Sequence, residues 1–127
     1  LWDSGRLEMP LVIVGRPGWK CRDVVARIHA LEAQGRVFWH GGGLPDWQLR
    51  QLYRSAAAFI QASLDEGFGL PVGEAALFAR PVVLSDIPVF REIVQGDGYF
   101  FNQRDRASFE TALLRALQPD APPTKTI

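Results

Sequence analysis

Short apolar runs alternate with amphipathic stretches along the chain, and this alternation constrains the fold more than any other feature of the sequence. Apolar runs of strand length lie at residues 10–15, 36–40, 57–62, 81–85 and 98–101. Residues 22–34 place Val24, Val25, Ile28 and Leu31 on one side of a predicted helix. Strands that are apolar on both faces and alternate with helices are typical of a parallel sheet with helices on both faces. We therefore predict one α/β domain with a mostly parallel sheet.

Residues that begin or end helices support this alternation. Gly35 is expected to end the first helix, and Asp46 is a suitable N-cap for a second helix. A short helix is predicted between the third and fourth strands, Pro88 is expected to open another, and residues 108–117 form the last one. The domain therefore extends over residues 1–118, and the proline-rich tail Pro119–Ile127 is predicted to be disordered.

Composition excludes several classes of protein. The 127 residues are 47% hydrophobic, which is enough to build one core. Fourteen basic residues balance fourteen acidic ones, so the net charge favours neither nucleic acid nor an anionic membrane as a partner. No apolar run approaches about 18 residues, so no transmembrane helix is predicted. Residues 1–10 do not resemble a signal peptide, and the single Cys21 has no partner for a disulfide, so we expect a cytoplasmic location.

Glycine-rich segments follow three of the predicted strands, at Gly15–Gly18, Gly41–Gly43 and Gly67–Gly69. Ligands of parallel sheets bind beyond the carboxyl ends of the strands, where these segments lie. The third segment is the most informative, because Pro71 fits the first position of a helix. The preceding Gly69 and Leu70 offer no side-chain acceptor to the free N–H groups at that helix start. An uncapped helix start beside glycines suits a phosphate or another anion.

Two glutamates flank this segment. Glu66 lies in the loop, and Glu74 lies one turn into the predicted helix, eight positions later. A carboxylate accepts hydrogen bonds from neighbouring hydroxyl groups, which both ribose and a hexose present. An anion-binding helix start between two such carboxylates favours a sugar nucleotide as the ligand.

The sequence from Glu66 to Ala75, EGFGLPVGEA, resembles the E-x7-E motif of retaining glycosyltransferases of family 4, which have the GT-B fold. Four surrounding segments resemble the same family: residues 10–19, 36–46, 52–57, and 81–88 together with Glu92. The resemblance covers residues 7–118 and implies the C-terminal, nucleotide-sugar-binding half of a GT-B enzyme. This half has a Rossmann-like sheet.

The resemblance also implies roles for individual residues. Glu66 would bind hydroxyls of the donor hexose and assist departure of the leaving group, which makes it the catalytic residue. Glu74 would hold the ribose hydroxyls. The remaining substrate-binding positions are the backbone N–H groups that face the sugar and diphosphate, and the residues beside the base or nucleotide: Gly67, Phe68, Gly69, Leu70, Leu44, Gly15 and Arg16.

The reaction implied by the resemblance is transfer of a hexose from a nucleotide diphosphate sugar to a glycan or lipid-linked acceptor, with retention at the anomeric carbon. The segments 12–19 and 66–75 favour mannose as the hexose, and bacterial polysaccharide synthesis is the commonest role in the family. No cofactor is expected, and no metal in the chemical step, since the sequence has no Asp-x-Asp. Peripheral membrane contact is expected only for the full-length protein.

Two parts of the family's pattern do not occur in the 127 residues. One is the acceptor-binding N-terminal domain. The other is a first strand, expected between the strands at 10–15 and 57–62, whose following loop carries a basic pair that neutralises the diphosphate. The resemblance therefore implies a fragment that folds, binds nucleotide sugar weakly and transfers nothing by itself.

Two other functions remain open at the level of sequence. A non-catalytic regulatory module that binds nucleotide or phosphate would need the anion-binding loop but not both glutamates at this spacing. A sugar-nucleotide epimerase shares the GT-B fold but fits the motif less well. For single residues outside the motif, structural interpretations dominate: His40 is expected to be packed or solvated, and Trp39 to be a packing residue.

Overall fold

The computed structural model of the chain describes residues 1–15, 22–62, 74 and 77–123. Contacts within the chain divide it into two compact units, Leu1–Leu49 and Arg50–Ile127. The predicted Rossmann-like α/β class is confirmed, because parallel strands alternate with helices along the sequence. The strands form two sheets, one of two strands and one of three.

Five strands and four helices lie in the described part of the chain. The strands are β1 (Leu11–Val14), β2 (Val37–His40), β3 (Phe59–Gln61), β4 (Val82–Ser85) and β5 (Tyr99–Phe101). The helices are α1 (Arg22–Ala33), α2 (Asp46–Ser55), α3 (Pro88–Ile93) and α4 (Arg106–Ala116). Each predicted strand contains an observed one. Of the helix predicted from Pro71 to Arg80, residues 74 and 77–80 are described. Glu74 and Leu77 are helical, but residues 78–80 are not, so the helix ends earlier than predicted; Ala79 has a positive φ of 55°.

Helix starts differ slightly from the sequence expectation. Asp46, predicted as an N-cap, is instead the first residue of α2, where its negative charge complements the positive end of the helix dipole. Pro88 opens α3 as predicted. Helix α4 begins at Arg106, two residues earlier than predicted, because the Asp105 carboxylate accepts hydrogen bonds from the N–H groups of Ala107 and Ser108.

The first unit is built on the parallel pair of β1 and β2, in which Leu11 lies opposite Val37 and Val14 opposite His40. Val37 is buried. Helix α1 contacts this pair through the ring of His29, 5.8 Å from that of Trp39, and through the Glu32 carboxylate, which accepts the Trp39 backbone N–H.

Apolar side chains of the first unit are more exposed than predicted. Val12 and Val14 on β1 are 38% and 39% exposed, and Phe38 on β2 is 50% exposed. Val24 of α1 is 59% exposed, so the apolar side predicted for this helix is not buried along its whole length. The side-chain contacts of α1 with Trp39 of β2 come from His29 and Glu32, in the second half of the helix.

The second unit contains the parallel sheet β3-β4-β5, in which the central strand β4 is fully buried. Phe90 of α3 is also fully buried, and Ala112, Leu113 and Ala116 of α4 complete the core. The rings of Phe101 and Phe109 meet edge to face, 5.0 Å apart. Helices therefore cover β4 as its uninterrupted apolar sequence predicts.

Part of the predicted disordered tail lies within the described residues. The Ala121 N–H donates to the Gln118 carbonyl at 3.0 Å. The Tyr99 hydroxyl donates to the Pro122 carbonyl at 3.3 Å. Ala121 is thus bonded to Gln118, just after α4, and Pro122 to Tyr99 of β5, while residues 124–127 lie outside the described part.

Candidate functional site

The predicted site residues fall into two groups. Gly15 and Leu44 lie in the first unit and Glu74 lies in the second, all within the described residues. The other predicted positions lie outside the described residues: Arg16, Glu66, Gly67, Phe68, Gly69 and Leu70.

Gly15 lies where β1 ends. Its N–H donates to the His40 carbonyl at 3.1 Å, and its carbonyl accepts the indole N–H of Trp39 at 2.9 Å. Its φ of 142° lies in a region that side-chain-bearing residues rarely adopt, so this turn requires glycine. Among the described residues, no atom outside its chain neighbours would lie within 4 Å of a Cβ at this position. The backbone of Gly15 is thus held by hydrogen bonds to β2.

Leu44 lies between β2 and α2 and is partly buried. It directly follows a turn that the Gly43 N–H closes by donating to the His40 carbonyl at 3.2 Å. Because β1 and β2 are parallel, Gly15 and the turn before Leu44 leave the same edge of the two-stranded sheet. Trp39 packs on His29 and donates its indole N–H to Gly15, which agrees with its predicted role as a packing residue.

Glu74 is exposed and has a buried partner. Its Oε2 atom accepts a hydrogen bond from the Tyr53 hydroxyl at 3.3 Å. The Tyr53 side chain belongs to α2 and only 8% of the residue is exposed. Burial, and then the neighbouring Glu74 carboxylate, raise the pKa of Tyr53 to about 12. The hydroxyl is therefore protonated at neutral pH and donates to Glu74.

Two aromatic rings hold Tyr53 in place. The Phe78 ring is stacked on it, with centroids 5.4 Å apart and an interplanar angle of 11°. The Phe59 ring on β3 is tilted against it at 5.7 Å. The sequence identified Tyr53 only as a residue of α2. A buried tyrosine needs a hydrogen-bond partner for its hydroxyl. The sequence pattern of α2 does not reveal that this partner, Glu74, lies 21 residues away along the chain.

Charged and polar groups also occur at the carboxyl end of β4. Asp86 receives two hydrogen bonds from the Arg91 guanidinium, at 2.6 and 2.9 Å, and these bonds lower the pKa of the Asp86 carboxyl. The guanidinium lies 4.2 Å from the centre of the Phe100 ring. Ser85 is fully buried, and its Oγ atom has no hydrogen-bond partner within the described part of the chain. This edge of the sheet therefore carries a neutralised ion pair.

An open cleft of about 600 Å³ lies elsewhere in the second unit, lined by β5 and α4. Its polar lining includes Asp105, Ser108, Thr111 and Arg115, none of which is a predicted site residue. Across residues 1–15, 22–62, 74 and 77–123, no group of three His, Cys, Asp or Glu side chains is arranged to hold a metal ion. In the same residues, no helix combines the length and apolar character that crossing a membrane requires.

Comparison with known proteins gives a family match over nearly the whole chain. The family model described as "Glycosyl transferases group 1" matches residues 2–119. The matched range includes the segment 66–75 and all the predicted site residues.

Several bacterial proteins are similar to this chain. A "Serotype-specific mannosyltransferase WbdA" of Escherichia coli is 39% identical over 103 residues, covering 80% of this chain and 12% of that protein. An "O-antigen chain mannosyltransferase B" of Escherichia coli is 34% identical over 118 residues, covering 91% and 30%. An "O-antigen chain mannosyltransferase RfbU" of Salmonella typhimurium is 41% identical over 75 residues, covering 58% and 21%. The chain thus spans less than a third of the length of these relatives.

Proposed function

The chain belongs to the group 1 glycosyltransferases, and we propose that it is the donor-binding domain of an enzyme that transfers a hexose from a nucleotide diphosphate sugar. The observation that carries the proposal is Glu74: an exposed carboxylate held through one oxygen by a buried tyrosine. A carboxylate has lone pairs for several donors, so Glu74 can still accept hydroxyl groups of a ribose. A transferase accounts for both glutamates, whereas a regulatory module would need only the anion-binding loop.

We further propose that the enzyme belongs to family 4, that it retains the configuration at the anomeric carbon, and that it transfers mannose. The spacing of Glu66 and Glu74 supports membership of family 4, with an E-x7-E motif and retention at the anomeric carbon. Mannose is the proposed hexose, supported by the names of the similar mannosyltransferases. The acceptor is a glycan or a lipid-linked sugar, in polysaccharide synthesis at the cytoplasmic side of a membrane.

The role proposed for each site residue follows from its chemistry. Glu66 contacts the reacting hexose, and the N–H groups of residues 67–70 stabilise the diphosphate, whose negative charge grows as the bond to the sugar breaks. Glu74 binds the ribose, while Gly15, Arg16 and Leu44 approach the nucleotide. We expect the chemical step to need no metal ion, because the helix start predicted at Pro71 would supply N–H groups to the diphosphate.

The experiment that tests this proposal compares Glu66→Ala with Glu74→Ala in the whole protein by steady-state kinetics. Glu74→Ala should raise KM for the donor, because losing hydrogen bonds from a charged acceptor costs about 1.5–3 kcal/mol. Glu66→Ala should instead lower kcat, since its contacts lie at the reacting sugar. Equal effects of the two variants, confined to KM, would contradict the assigned roles.

Two controls accompany these assays. Glu8→Ala removes an exposed carboxylate outside the predicted site and should leave both constants unchanged. Turnover by the unaltered protein should persist in excess EDTA. Loss of activity that magnesium or manganese restores would refute the metal-free part of the proposal.

A further inference from the structure

The hydroxyl of Tyr53 donates a hydrogen bond to Glu74, a predicted site residue. It lies 3.3 Å from Oε2 of Glu74, longer than a typical O–H···O hydrogen bond. A bond of this length contributes little to folding, yet it fixes the direction of a side chain that otherwise turns in water. We therefore expect the loss of this hydrogen bond to weaken ligand binding by Glu74 more than it lowers the stability of the fold.

The ring of Tyr53 is fixed independently of its hydroxyl. Stacking on Phe78 and contact with Phe59 hold the ring, and the residue is buried against both. Replacing Tyr53 by phenylalanine would keep these ring contacts and remove only the donor to Glu74. The structure thus allows the hydroxyl to be tested apart from the packing.

We propose that Tyr53 is a positioning residue, whose hydroxyl orients the Glu74 carboxylate so that it accepts a ribose hydroxyl of the donor. This inference rests on the proposed function, because it requires Glu74 to bind the ribose. Tyr53 itself does not contact the nucleotide in this arrangement. It acts by restricting the rotamers of Glu74, so the entropy lost on binding is smaller.

The shared oxygen makes this arrangement chemically feasible. A carboxylate oxygen has two lone pairs, so Oε2 can accept Tyr53 and a second donor, while Oε1 accepts another. A vicinal diol can therefore bind both oxygens of Glu74 with the Tyr53 bond intact. The hydroxyls of the diol compete with water for the exposed carboxylate of Glu74. A carboxylate that is already oriented favours the diol over water.

The test is calorimetric titration of the whole protein and of Tyr53→Phe. The probes are guanosine, uridine and adenosine diphosphates and their 2′,3′-dideoxy counterparts. Tyr53→Phe should weaken binding of the ribonucleotide about threefold to tenfold, the effect of a contact coupled within one hydrogen-bond network. Binding of the dideoxy nucleotide should not change, because it has no hydroxyl for Glu74 to accept.

Three comparisons separate positioning from a structural role. Tyr99→Phe, the matched control, removes a hydroxyl that donates to the Pro122 carbonyl and should change neither titration. In a Glu74→Ala background, Tyr53→Phe should have no further effect. If Tyr53→Phe weakened both nucleotides equally, or neither, the inference would be wrong.

The inference and the proposed function can fail separately. If Glu74→Ala weakens the ribonucleotide but Tyr53→Phe does not, Tyr53 is not a positioning residue and the proposed function stands. If no ribonucleoside diphosphate binds the whole protein, or if Glu74→Ala has no effect, the assignment of Glu74 fails and this inference with it.

Discussion

The Asp86 carboxylate and the Arg91 guanidinium are joined by two hydrogen bonds at the carboxyl end of β4. Both side chains are about half exposed, so solvent screens the pair and its contribution to stability is small. Arg91 also packs over Phe100 of β5. The pair therefore links the turn after β4 to the neighbouring strand, beside the edge where ligands of parallel sheets bind.

The ion pair of Asp86 and Arg91 should make the stability of the fold decrease at low pH. Because the folded-state pKa of Asp86 is lowered below 3.8, the pair stabilises the fold above that pH. This contribution is lost as pH falls through the lower, folded-state pKa. Asp86→Asn should therefore lower the melting temperature slightly at pH 7 and not at a pH below the folded-state pKa.

Thermal unfolding in a series of buffers measures this difference. Arg91→Gln is the control, since Asp86→Asn should have no effect in its background at any pH. A difference between Asp86→Asn and the unaltered protein that persisted at the lowest pH would contradict the pair as its cause.

The sequence predicts Glu74 as a site residue but does not predict the side chain that bonds to it. The spacing of Glu66 and Glu74 needs only the chain order, and it is visible in the sequence. The Tyr53 contact depends on how α2 packs beside Phe59 and Phe78, which no local pattern records. Glu66 and residues 67–70 lie outside the described part, so their roles stay predictions.

Capping decides where α4 begins. The Asp105 side chain accepts two backbone N–H groups of the first turn, and the Phe109 N–H donates to the Asp105 carbonyl. The sequence prediction placed the start at Ser108 because it followed the apolar residues and ignored the acid three positions earlier. Cap residues fix helix ends more reliably than the apolar period does.

Removing this cap should destabilise the second unit. Asp105→Ala should lower the free energy of unfolding by about 0.5–2 kcal/mol, because two N–H groups lose their acceptor. Asp105→Asn is the control, since asparagine caps helices nearly as well. Urea unfolding followed by circular dichroism measures both. Equal stability of Asp105→Ala and the unaltered protein would show that the cap does not stabilise α4.

Strands with similar sequences have different surroundings in the two units. The run at 10–15 and the run at 81–85 are both apolar, and both were expected to be covered on two faces. The strand β4 is fully buried, whereas Val12 and Val14 of β1 are more than a third exposed. Periodicity identifies a strand, but burial depends on which elements pack against it. The sequence therefore predicted the strands better than their surroundings.

The core of the described residues is unevenly distributed between the units. Among the described residues of the first unit, Val37 is the one buried hydrophobic residue, while β4, α3 and α4 supply most of the others. A two-stranded sheet has little stability alone, so the packing of α1 on β2 is expected to stabilise the first unit.

Equilibrium titration of the whole protein with nucleotide diphosphate sugars measures whether this chain binds the donor of a hexose transfer. We expect saturable binding of at least one such sugar. Glu74→Ala should weaken this binding by about tenfold or more, the loss expected for hydrogen bonds to a charged acceptor. If no nucleotide diphosphate sugar binds, or if Glu74→Ala leaves the binding unchanged, the chain is not the donor-binding domain proposed above.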